Sequence, residues 1–175
     1  MYAASMRLFS SKVPVIAAEI VRKLVADEDL EAESPAEVEK DVEAVLNEYL
    51  RLEREVTTKT KELIEGRKLP PTEFGRVKKS VAEQKGLKIG DEVIDYLLDQ
   101  LVESFLYSQN VDEVFAQDLD LRRKMAPILK KHMAVEDDLD REVRGRLKHL
   151  EEGTPAWEIE YGKTLELVKR TRGVQ

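Results

Sequence analysis

A run of about thirty residues that opens on Ser34-Pro35-Ala36-Glu37 and closes on Gly66 constrains this chain more than any other feature. Serine suits the cap of a helix, proline its first turn, and a glutamate three residues on can reach back to the cap. Between those ends Val38, Val42, Val45, Leu46, Tyr49, Leu52, Val56, Leu63 and Ile64 recur at the spacing of one helical face. Such a helix is roughly 45 Å long at 1.5 Å per residue. Its apolar stripe needs other helices to cover it. Thr57-Thr58-Lys59-Thr60 is its weak stretch, because threonine loses rotamer freedom in a helix, and a kink is predicted there.

The same periodicity predicts further helices. Val13, Ile16, Ala17, Ile20 and Leu24 mark one over Val13–Ala26, with Ser11 as cap and Pro14 in the first turn. A short helix follows the Leu69-Pro70-Pro71 connector from Thr72 to Gln84, and a strongly amphipathic one runs from about Asp91 to Tyr107. Residues 110–118 read as a loop or a brief extended piece. A long pattern then runs from Asp118 or Asp120 to Leu150, bent at Pro127, and Gly153 stops it. Thr154-Pro155 opens a last helix carrying Trp157, Tyr161, Leu165 and Val168. Little alternating, β-branched sequence remains, so the fold class is all-α, a helical bundle.

The chain also resembles itself. With a shift of 81 residues, Val13, Ile16, Ala17 and Ile20 face Ile94, Leu97, Leu98 and Leu101. With a shift of 87, Gly66 meets Gly153, and Glu73-Phe74-Gly75-Arg76 meets Glu160-Tyr161-Gly162-Lys163. Glycine within a helical pattern costs about 1 kcal/mol against alanine, so its recurrence beside an aromatic suggests one packing role used twice. The organisation expected is an N-terminal extension over residues 1–5, outside the fold and disordered, then helical repeats over 6–90 and 91–175 that share one core. Met6 would be an alternative start.

Composition narrows function by exclusion. No cysteine among 175 residues means no disulfide, no thiol nucleophile and no thiolate metal site, which fits a reducing compartment. No apolar run approaches the roughly 18 residues that span a bilayer, so no membrane role is expected and the cytoplasm is the default address. The net charge is −7, unevenly spread. Residues 1–65 hold 9 basic and 15 acidic groups, 66–119 hold 7 and 10, and 120–175 hold 13 and 11, or −6, −3 and +2. Only the last third could offer phosphate a positive face.

The chemistry-bearing residues are sparse. His132, Glu136 and Asp140 share a helical face, but such a pattern is ordinarily a solvated one, and a closed metal site needs three or four ligands. There is no glycine-rich phosphate cradle and no nucleophile motif, so no catalytic residue, metal or cofactor is assigned. The candidate basic surface comprises Arg141, Arg144, Lys148 and His149, with Arg76 and Lys79 as a second patch. Helical spacing would put Arg141, Arg144 and Lys148 on one stripe. Trp157, Tyr161, Phe74, Phe105, Tyr107 and Phe115 are expected in the core.

Met6-Arg7-Leu8-Phe9-Ser10-Ser11-Lys12, Phe74-Gly75-Arg76-Val77-Lys78-Lys79, Val111-Asp112-Glu113-Val114-Phe115, and His149-Leu150-Glu151-Glu152-Gly153-Thr154 through Trp157-Glu158-Ile159-Glu160-Tyr161 resemble the bacterial domain of unknown function 507. The resemblance spans Met6 to Gly173 and implies a small cytoplasmic bacterial protein, with no activity and no site residue to carry over. From the residues themselves the expected role is a non-enzymatic protein-interaction or assembly module with a protein partner. The alternative is a nucleic-acid-binding protein that uses the basic face of its C-terminal third.

Overall fold

Ser34 and Pro35 do open the longest helix, but through backbone rather than side chains. In the computed structural model, which describes residues 4–152 and 154–173, the Glu37 N–H donates to the Ser34 carbonyl at 3.0 Å. The Glu37 carboxylate takes Lys40 instead of reaching back, so the reciprocal cap does not form. In chain order the elements are β1 (Ala4–Met6), α1 (Val13–Ala26), β2 (Leu30–Glu31), α2 (Pro35–Gly66), α3 (Phe74–Gln84) and α4 (Val93–Tyr107). They continue with β3 (Glu113–Val114), α5 (Asp118–Met133), β4 (Ala134–Glu136), α6 (Asp137–Arg146) and α7 (Pro155–Arg172). One-turn 3-10 helices at Ser10–Lys12, Pro71–Glu73 and Gly90–Glu92 lead into α1, α3 and α4. The protein is all-α, with two short antiparallel ladders as fasteners.

The apolar stripes dictate the packing. α1 and α4 each pack against both α2 and α5, which closes a four-helix bundle, and α3 lies on α2. Ile16, Ile20 and Leu24 of α1, Leu46 and Leu50 of α2, Leu97 and Leu101 of α4, and Met125 and Leu129 of α5 fill its centre. Each such side chain contributes about 1.5–3 kcal/mol by leaving water. The threonine stretch does not interrupt α2. Thr57 and Thr60 are buried, and the Thr60 hydroxyl donates to the Val56 carbonyl at 2.7 Å, so the hydroxyl is satisfied inside the helix.

Four expectations need correction. The chain does not run helical from Asp118 to Leu150 without interruption. Pro127 lies inside α5, and the break falls at β4, where the Arg7 N–H donates to the Met133 carbonyl at 2.8 Å and β1 pairs with β4 from Ala4–Glu136 to Met6–Ala134. Backbone groups that the helix would have used are taken by the N-terminal segment. For the same reason Ala4 and Ser5 belong to the fold rather than to a disordered extension. Residues 1–3 lie outside the described residues, as does the Gly153 stop.

The interior is not one core. A large cluster from Leu8 to Met133 fills the bundle, and a smaller one, Val135, Leu139, Val143, Leu147, Trp157, Tyr161, Leu165 and Val168, lies between α6 and α7. After the break at β4, α6 packs chiefly against α7, which folds back on it. Finally, Phe105 is buried and Phe74 half-buried, but Tyr107 and Phe115 are exposed, Tyr107 on the outer face of the last turn of α4 and Phe115 in the loop beyond β3.

Candidate functional site

The two clusters meet along a cleft of about 510 Å³, a size that suits a bound side chain or ligand. One wall is the run from Arg7 to Lys12 with Val15 of α1, the other is the first four turns of α7, and the end of α5 closes it with Lys131 and His132. Thr154 starts α7 by accepting the Trp157 N–H at 3.2 Å, and the four-residue spacing then sets Trp157 and Tyr161 side by side, ring centres 5.0 Å apart. Phe9 stacks on Tyr161 at 5.5 Å. The Arg7 guanidinium lies 4.7 Å from the Tyr161 ring and 5.1 Å from Trp157, a cation over two aromatic faces.

Behind this floor Asp140 ties the elements together. It accepts the Tyr161 hydroxyl, pairs with Arg144 at 3.0 Å, and stands 4.0 Å from Arg7. Burial, reinforced by the bond to Asp140, pushes the Tyr161 phenol well above the usual tyrosine range, so it donates at any physiological pH. Glu158, at the α2 side of the cleft, has its carboxyl raised by burial, opposed by Arg54 3.7 Å away.

The rim is partly apolar and carries more cations than carboxylates, Glu53, Glu158 and Glu166 being among the lining. Lys12 and Lys169 make no ion pair among the described residues. Lys131 shares Glu19 with His132, and Lys163 takes Glu160 at 3.7 Å. Val15 and Ile159 stand at the opening, 46% and 55% exposed. An apolar floor with exposed aliphatic edges and lysines around them can hold an apolar side chain that arrives with acidic neighbours.

The candidate basic surface is dispersed. α6 ends at Arg146, so Lys148 and His149 sit in the following turn instead of extending a helical stripe. Arg144 turns inward, against Trp157 at 5.7 Å and between Asp140 and Glu152. Arg141, Lys148 and His149 stay exposed. On α3, Arg76 is tied to Glu73, and Lys79 is exposed without an ion pair among the described residues. His132 faces Glu19 and Asp140 faces Tyr161, so the suggested histidine–carboxylate face does not converge. His132 lines the cleft and His149 does not.

Reasoning from spacing passed over Arg7 and Lys12, which carry no periodic signal. The one pointer to them was the stretch Met6–Lys12, which bore the family resemblance and which now forms a wall of the cleft beside Trp157, Ile159 and Tyr161. A family model described as a protein of unknown function (DUF507) matches residues 6–174. No curated protein matches the chain.

Proposed function

We propose, from the premise that the chain belongs to the DUF507 family of proteins of unknown function, that it is a non-enzymatic interaction or assembly module whose binding face is the cleft between the Arg7–Lys12 run and α7. The observation that carries this is the pairing of exposed Val15 and Ile159 with lysines around an aromatic floor. Exposed aliphatic groups in a concavity gain by being covered, and a charged rim selects what covers them. Two further parts of the reading are a cytoplasmic setting, supported by the absence of cysteine, and descent from a tandem duplication. Support for the latter is the order of helix, two-residue strand and helix in α1-β2-α2, met again in α4-β3-α5, and the pairing of β2 with β3.

A photo-crosslinking residue at position 159, with one at the exposed Glu62 as control, tests the cleft in native cells. A discrete protein adduct is expected at 159 and not at 62. Adducts to nucleic acid at 159, or none to protein, would overturn the reading. Nucleic-acid binding has its own requirement: Arg141 and Lys148 must neutralise phosphates, so reversing both should abolish any salt-sensitive gel shift.

A further inference from the structure

We infer that the occupant of the cleft is the acidic shoulder between α4 and α5 of a second copy of this chain, so that copies associate head to tail. This rests on the cleft being the binding face and names what fills it. Of the large apolar side chains left exposed, Val15 and Ile159 edge the cleft, Leu106, Tyr107, Phe115 and Leu119 lie in or beside the turn that carries α4 into α5, and Leu167 on α7 belongs to neither group. That turn is also acidic: Asp112, Glu113, Asp118 and Asp120 are exposed among its apolar groups. The nearby Arg122 does not offset them for an incoming partner, because Asp99 and Asp118 hold it. One surface of the molecule thus sets apolar groups among carboxylates, and another sets apolar groups where Lys12, Lys131, Lys163 and Lys169 outnumber Glu53, Glu158 and Glu166.

The two surfaces lie at opposite ends of α5. Leu119 is in its first turn and Lys131 in its last, roughly 18 Å apart along the axis at 1.5 Å per residue. One chain therefore cannot readily satisfy both surfaces by itself. The helix carries the same polarity: Asp118 and Asp120 occupy its first turn, and Lys130, Lys131 and His132 its last, each favoured there by the helix dipole. The shoulder is also rigid, since the Phe115 and Ala116 N–H groups both donate to the Asp29 carbonyl, so little order has to be imposed on docking. Because each copy presents both surfaces, the contact repeats, which yields a ring or a filament rather than a twofold dimer.

Two variants separate the faces, each checked for folding by circular dichroism. Lys12→Glu with Lys169→Glu spoils the cleft rim, and Asp112→Lys with Asp120→Lys spoils the shoulder; none of the four residues has an ion pair among the described residues. By sedimentation velocity the wild-type chain should form species beyond the dimer as concentration rises, and about 0.5 M salt should weaken this several-fold by screening the charges. Each variant alone should associate at least about tenfold more weakly, a loss of about 1.4 kcal/mol. The chain carrying all four reversals should recover, because both faces then change sign together. A wild-type chain that stays monomeric at high concentration, or no recovery in the fourfold variant, would overturn the self-docking. An adduct at position 159 to a different protein would then leave the cleft as a binding face standing.

Discussion

Trp157 helps tie the small cluster together, since it touches Tyr161, Arg7 and Arg144 at once and is only 4% exposed. Trp157→Ala should cost about 3 to 5 kcal/mol, read from the denaturant midpoint, because the cavity opens between two rigid helices that cannot collapse onto it. A loss under about 1 kcal/mol would mean that α7 is not packed as described. Tyr49 gives a different test. Burial drives its phenol above the ordinary range, Glu53 and Tyr96 add to this, and Arg7 opposes it. The folded state therefore keeps its proton while the unfolded chain loses it near pH 10. Stability from this group is fully present below pH 10 and is lost as pH rises beyond it. Unfolding free energies at pH 8 and 11 should accordingly fall less in Tyr49→Phe than in the wild type; equal slopes would refute the shift.

Elements whose ends carry local signals sit where those signals are. α1, α2 and α7 begin at proline-containing first turns, and their apolar spacing persists into their last two turns. The break between α5 and α6 has no such mark. Val135, Leu139 and Val143 continue the helical spacing across it, and what stops the helix is a backbone ladder to residues 4–6, more than a hundred positions away. A chain beginning at Leu8 removes that ladder and the Arg7 stack together. It should keep the helical circular dichroism of α1–α5, while Trp157 emission shifts red and amides of 137–172 exchange faster. Unchanged emission and exchange would mean that β1 does not hold α6 and α7 in place.

At the scale of the molecule, stability is divided unequally. Among the described residues 28 buried apolar residues make the bundle cluster and 8 the α6–α7 cluster, and the cleft runs between them. A unit with so small an interior opens more easily than the body it rests on. Native-state hydrogen exchange should show α6 and α7 opening together at lower free energy than α1, α2, α4 and α5, and Trp157 fluorescence should change before far-ultraviolet dichroism in a denaturant titration. Coincident transitions would show that the two clusters unfold as one.

Local sequence was enough for the class, for every helix except the pair α5 and α6, and for which face of each turns inward, because those follow from spacing and from backbone chemistry within a turn or two. It also carried the charges of both proposed docking surfaces, although nothing in it marked them as surfaces: Lys12 and Lys169 are 157 positions apart, and Phe115 reads as core until its neighbours are known. The tertiary structure alone decided that β1 would cut a helix in two, that Arg144 would turn away from Arg141, and that Arg7 would lie on Trp157 and Tyr161. Each of these depends on contacts between distant segments, where a backbone bond or a cation over a ring outweighs the modest preference of local sequence to continue as it began.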